Sequence, residues 1–403
     1  MRPKTDDRNA RNRLTSGSAW PLILLIPILL LTGQASAQDW RFDPVVGVGY
    51  EFDDNAELSI RTDSEIEVNG LIADARGTIG YASDRTDFFL TPRVRWRRYD
   101  ESQFDATDIF VAFNWQYRTP SHTFRLRANG EREAVRTAEQ ADADPELDDP
   151  SNITGEDTGL ILLGGDRDMI WLRPDWNWRL SGVTSLSTSL EVFDVSYDEV
   201  FLDLLADYTD AKLEFSLSRA FSPVTRGLLI GSARKYVNSD ERNEFDGYSV
   251  MAGFDRALSE KVDLRVLVGA ETAEFTASFL DKETEWVADI SLVRRLETIS
   301  VLAQYRRSIQ ANGAAIPLVR DDFFLNFRRQ LSEKVTASLG ARVYQSKVLA
   351  SDSDDSRDYI QLRGSIGWNF TPTLSVEFDY RHSIINRGIL IGERADSNRV
   401  SVW

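Results

Sequence analysis

Apolar and polar residues alternate along most of the chain after residue 38. In 88–97 Phe88, Leu90, Pro92, Val94 and Trp96 share one side, and Phe89, Thr91, Arg93, Arg95 and Arg97 the other. In 109–117 Ile109, Val111, Phe113, Trp115 and Tyr117 oppose Phe110, Ala112, Asn114 and Gln116. The same division runs through 170–180 and 374–381. A period of two is the signature of a strand with two unlike faces, whereas a helix repeats every 3.6 residues.

The connectors fall into two classes that alternate along the chain. Short ones are centred on 83–86, 119–122, 181–184, 221–224, 258–261, 296–299, 331–334 and 370–373, and carry Ser, Thr, Pro or Gly. These residues make tight turns. Longer polar ones cover 53–65, 100–106, 133–168, 198–207, 237–244, 274–283, 309–320, 347–356 and 384–396. Eight short and nine long connectors separate 18 strands, with 16 as an alternative. The repeated "LSEKV" at 258–262 and 331–335 is a short turn used twice. In both copies it opens a strand whose apolar face begins at its valine, Val262 or Val335.

Short turns on one rim and long loops on the other predict an all-β transmembrane antiparallel up-and-down barrel, with periplasmic turns and extracellular loops. Inside hydrocarbon every backbone polar group needs a partner, so a sheet spans only when it closes on itself. Aromatic residues lie near the strand ends. Tyr81, Phe88, Trp115, Tyr117, Phe124, Phe221, Phe254 and Phe370 sit by the short turns. Tyr50, Phe52, Tyr99, Tyr208, Phe215, Tyr248, Tyr344 and Tyr380 lie farther along. That placement suggests two interfacial girdles.

The N-terminus reads differently. Five basic residues are followed by "AWPLILLIPILLLTG" and by Ala35-Ser36-Ala37. We read 1–37 as a cleavable signal peptide and 38–403 as the barrel. The chain has no cysteine, which removes disulfides, thiolate sites and a lipid-bearing N-terminal Cys. It carries 47 Lys+Arg against 64 Asp+Glu. Residues 1–37 hold five basic and two acidic residues, which leaves 42 against 62 beyond them. This acidity argues against a nucleic-acid partner.

The inward face supplies the candidate chemistry. Arg93, Arg95 and Arg97 form a basic column; Arg125 and Arg127 form a second, and Arg173 and Arg179 follow. Asp175, Glu377 and Asp379 are acidic positions on the same face, with Glu51, Asp74, Glu214, Asp263, Glu271 and Asp289. Such a wall either selects a small ionic solute or saccharide, or is a wet surface whose charges pair across strands. Loop 133–168 has eleven acids against Arg136 and Arg167. Three readings are open for it: folding inward to narrow the pore, binding Ca²⁺, or staying solvated, which is the usual state of a charge run. No cofactor or metal is expected, since His and Cys clusters and a phosphate-binding glycine loop are absent. The two histidines, His122 and His382, have no nucleophile and orienting acid beside them in sequence, so no enzyme is expected. The expected partners are outer-membrane lipid and the outer-membrane assembly machinery. The terminal Trp403 suits that machinery, although Val400 and Val402 are out of phase with it.

The segment "VVGVGYEFDDNAELS…DARGTIGYASDRTDFFLTPRVRWRRYDE", with a first strand ending in Asp-Asp-Asn and a Ser/Asp/Arg turn, resembles the start of the β-barrel porin 2 family of bacterial outer-membrane proteins. The final "NRVSV" is similar to that family's last strand. The resemblance implies an outer-membrane barrel. Three functions follow as expectations: a channel for small solutes or saccharides, a conduit for exopolysaccharide export, or a structural barrel.

Overall fold

The computed structural model describes residues 40–59, 65–140, 158, 164–198, 205–241, 243–276, 282–349, 356–387 and 393–403. The segment read as a signal peptide, 1–37, lies outside them. So does most of the acidic run in loop 133–168.

Eighteen strands make up the wall. The first six are β1 (Trp40–Asp53), β2 (Val68–Ala82), β3 (Thr86–Tyr99), β4 (Ala106–Arg118), β5 (His122–Ala134) and β6 (Asp166–Arg179). Next come β7 (Thr184–Tyr197), β8 (Tyr208–Ser222), β9 (Thr225–Asn238), β10 (Phe245–Ser259), β11 (Val262–Phe275) and β12 (Lys282–Arg295). The last six are β13 (Ile299–Gln310), β14 (Leu318–Gln330), β15 (Val335–Val348), β16 (Ser356–Thr371), β17 (Leu374–Arg387) and β18 (Glu393–Val402). Each pairs with its chain neighbours, and β18 returns to β1 through Tyr50↔Val402 to Asp53↔Arg399. The barrel is closed, antiparallel and 18-stranded. It leaves no sheet edge of the kind an open sheet would expose to lipid.

The faces follow the alternation. Val94 and Trp96 are exposed on the outside while Arg97 and Tyr99 are buried inside. On β11 Val268 is exposed outward and Leu267 is buried inward. Hydroxyl pairs step around the inner wall, as in Ser185–Ser218, Ser232–Ser249 and Ser338–Ser365, each at 2.7 Å. Three prolines sit inside strands, Pro44 in β1, Pro92 in β3 and Pro174 in β6, and the last two interrupt a ladder. The β2–β3 ladder lacks the pairs between Arg76↔Arg93 and Ile79↔Leu90, beside Pro92. The β6–β7 ladder skips between Leu172↔Val192 and Asp175↔Ser189, beside Pro174. Proline has no N–H to donate, so the bond is lost locally, and both ladders resume in the same register.

Both outer girdles are present, but three of the aromatics expected there face inward. Tyr99, Tyr208 and Tyr344 are buried within the barrel. Parity decides this: each shares a face with the inward residues of its strand. The girdle by the short turns is densest on β5 and β6. There Trp176 lies 6.1 Å from Phe124, 6.0 Å from Trp178 and 5.8 Å from His122.

The long-loop end of the lumen is filled. Residues 54–59 turn inward and bury Leu58 against Tyr344, Tyr359, Ile385 and Ala395. Residues 311–317 also enter: Asn312 is fully buried, its carbonyl accepts from Tyr236 Oη at 2.9 Å, and Ala206 N–H donates to Gly313 O at 2.7 Å. Toward this loop the end of β13 parts from β12 while staying paired with β14 as far as Gln310↔Leu318. The β12–β13 ladder stops at Ala288↔Arg307 although β12 extends to Lys282, and Ile309 is 1% exposed. Behind it lies an apolar cluster that includes Trp171, Phe193, Tyr197, Tyr236 and Phe245.

The acidic loop departs from the solvated reading at both described ends. Its start forms a short helix, α1 (Val135–Ala138), with Val135, Arg136 and Ala138 buried. Arg136 carries its guanidinium 5.6 Å from the Tyr99 ring centroid and 5.2 Å from that of Phe104. Burial lowers the Arg136 pKa.

Candidate functional site: an arginine-lined lumen

Two cavities occupy the lumen. The first, of about 1270 Å³, runs from the short-turn rim at Thr371 and Thr373 up to α1. Its described lining holds ten arginines against six carboxylates and no lysine. The second, of about 780 Å³, reaches the short-turn rim at Ser222 and Pro223 and has eight arginines against five carboxylates. Arg127 lines both. A chain with an excess of 17 acids has thus placed a positive surplus along its inner wall.

The residues expected to line the lumen divide as follows. Arg93, Arg95, Arg97, Glu377 and Asp379 line the first cavity with Arg127. Arg125, Arg173 and Asp175 line the second. Arg179 lines neither and is exposed at the short-turn rim. Much of this charge is paired across strands, as the plainer alternative expected. Arg125 meets Asp175 at 3.7 Å, Arg173 meets Glu191 at 3.5 Å, and Arg363 meets Asp379 at 2.5 Å.

Pairing is uneven along the first cavity. At its upper neck the charges interlock. Arg399 contacts Asp53 at 3.0 Å and Glu51 at 3.8 Å, and Glu51 also accepts from Tyr99 Oη at 2.7 Å. Arg97 contacts Asp108 at 3.0 Å and Glu133 at 3.8 Å, with side-chain exposures of 6%, 0% and 15%. Lower down, Arg93 and Arg95 share one carboxylate, Asp74, at 2.7 and 3.0 Å. Arg76 faces Arg93 across the β2–β3 ladder and is exposed in the cavity. Among the described residues it has no ion pair or hydrogen bond. Two guanidiniums on one carboxylate, with Arg76 opposite Arg93, leave this stretch cationic.

A cross-bar caps the first cavity. Glu139, fully buried, accepts from Tyr197 Oη at 2.9 Å and Arg167 Nη1 at 3.3 Å through one oxygen. Its other oxygen accepts from Thr158 N at 2.9 Å and Thr158 Oγ1 at 2.6 Å. Thr158 O in turn accepts from Arg357 Nη1 of β16 at 3.2 Å. The loop leaving β5 is therefore tied to β7 on one side and to β16 on the other.

Sequence reading missed Arg76, Arg342, Arg363, Arg381 and Arg399, all lining the first cavity. The signal was available for Arg76, which shares parity with Asp74. It was also available for Arg381, which shares parity with Asp379. Trp403, which sequence offered only as a terminal mark for assembly, also lines the first cavity.

The closed wall, its apolar exterior and its wet interior define a transmembrane β-barrel of the outer-membrane type. No family model and no curated protein matches the chain. Several crystal structures are similar in shape. OccK2 (OpdF) of Pseudomonas aeruginosa, solved in complex with glucuronate, is 10% identical with a TM-score of 0.49, over 91% of this chain and 97% of that one. OccAB4 of Acinetobacter baumannii is 9% identical with a TM-score of 0.47, over 91% and 98%. The siderophore receptor PirA of P. aeruginosa is 10% identical with a TM-score of 0.42, over 90% and 81%.

Proposed function

We propose that this barrel is an outer-membrane channel that passes small anionic solutes, exported to that membrane with residues 1–37 as its signal peptide and embedded in its lipid. The supporting observation is the arginine surplus of the lumen, above all the stretch where Arg93 and Arg95 share Asp74 and Arg76 stands opposite Arg93. A cationic, partly desolvated wall raises the local concentration of anions and lowers the barrier to their passage. Guanidinium groups also match carboxylate geometry with two parallel donors. The inward-folded segments at the long-loop end favour small solutes over a polymer.

The test is reconstitution of the purified protein in planar bilayers under a KCl gradient. A reversal potential showing chloride more permeant than potassium is expected. Cation selectivity would remove the proposal, and the absence of conductance steps would leave the structural-barrel reading.

A further inference from the structure

The indole of Trp403 has an unusual setting. Val402 is exposed on the lipid face, and the next residue turns its ring into the first cavity. The ring lies against the backbone of β1 at Gly47 and Gly49. A Cβ at Gly49 would stand 2.9 Å from Trp403 Cδ2 and 2.7 Å from Val402 O, so only glycine admits this approach. The indole N–H donates to Ser401 Oγ at 3.2 Å, which satisfies its polar edge. The ring remains partly exposed among charged groups. Arg95 has its guanidinium carbon 5.9 Å from the ring centroid. Glu377 pairs with Trp403 through both backbone bonds, at 3.1 and 2.8 Å, and lines the cavity. Its carboxylate has no hydrogen bond or ion pair among the described residues.

A flat apolar surface in a wet lumen gains by covering itself with another flat, weakly apolar surface. The C–H face of a pyranose ring is such a surface, slightly positive against the negative face of an indole. Beside it stand a guanidinium for a carboxylate and a free carboxylate that accepts hydroxyl protons. We infer that Trp403, Arg95 and Glu377 form a binding subsite for an acidic monosaccharide in its ring form, the indole stacking on the sugar and Arg95 holding its carboxylate. This inference rests on the anion-channel reading and narrows its substrate class.

The test uses the full protein in bilayers, with galacturonate, galactonate and galactose as probes. Galactonate keeps the carboxylate but has no ring; galactose keeps the ring but has no charge. In the wild type, galacturonate should block the current with a dwell time about three- to tenfold longer than galactonate, the range expected of aromatic stacking. Galactose should give no resolved block. Trp403→Ala should bring the galacturonate dwell down to that of galactonate. Should that variant not assemble, Trp403→Phe must give an intermediate dwell. Equal dwell times for the two acids in the wild type, or a galacturonate dwell indifferent to either substitution, overturns the subsite. The reversal potential is read in the same records, so a failure of anion selectivity is seen separately.

Discussion

Replacing Arg76 with glutamine removes one positive charge from the first cavity without stranding a carboxylate. Its cross-strand neighbour is Arg93, and Asp74, on the same face of β2, keeps both Arg93 and Arg95. Stability should therefore hold or rise slightly, since like charges directly opposite each other repel. A unit charge about 6 Å from a passing ion contributes ~0.7 kcal/mol at the dielectric constant of water and ~2.8 kcal/mol at an effective value of about 20. The lumen is wet, so the lower figure is the better guide; it is roughly threefold for each ion and opposite in sign for chloride and potassium, hence about tenfold in their ratio before screening. Arg76→Gln should thus lower the chloride-to-potassium permeability ratio about three- to tenfold near 0.1 M salt. The effect should shrink at 1 M, where the screening length falls to about 3 Å. Arg97→Gln is the contrast. Its guanidinium lies between Asp108 and Glu133, with Asp108 fully buried. Removing it leaves a buried carboxylate without its partner, at a cost of about 3–5 kcal/mol. Urea unfolding from lipid vesicles should show that loss for Arg97→Gln and none for Arg76→Gln. If Arg76→Gln leaves the reversal potential where it was, or if both variants destabilise equally, the division into a structural neck and a selective stretch is wrong.

Glu139→Ala should remove the two hydrogen bonds that tie Thr158 to Glu139 and loosen the cross-bar, so single-channel conductance should rise; an unchanged conductance would mean that the bar does not limit flow. Val266→Arg, on the lipid face of β11, should cost ~2–4 kcal/mol near the membrane midplane, measured by unfolding from vesicles; a neutral effect would place that face outside hydrocarbon. Arg342→Met should destabilise by about 3–5 kcal/mol because Asp322, held at 2.6 Å and nearly fully buried, loses its partner. The double variant with Asp322→Leu should recover most of that loss, and no recovery would argue against the ion pair as the cause.

The wall was legible in the chain because a membrane enforces a strict period of two. Lipid on one side and water on the other gave Val94 and Arg95 opposite faces, and the two connector classes pointed to 18 strands with 16 as the alternative, of which the structure has 18. That same parity assigned Arg93, Arg95, Asp175 and Asp379 to the lumen. It also applied to Tyr99, Tyr208 and Tyr344, which were assigned to the girdles by their nearness to strand ends, although parity pointed inward.

Parity says nothing about partners across the barrel. That Arg97 is locked to Asp108 and Glu133 while Arg76 stands free depends on cross-strand register and on where α1 turns inward. That Glu139 ties β7 to β16 through Thr158 joins residues far apart in the chain, and no local pattern encodes such a link. The indole of Trp403 fits in the lumen because Gly49 of the first strand leaves room beside the last. Sequence by itself determined the closed wall, because backbone satisfaction in hydrocarbon admits few solutions. Tertiary structure alone decided which charges are paired and where the lumen is filled, because both depend on side chains that meet only when the barrel closes.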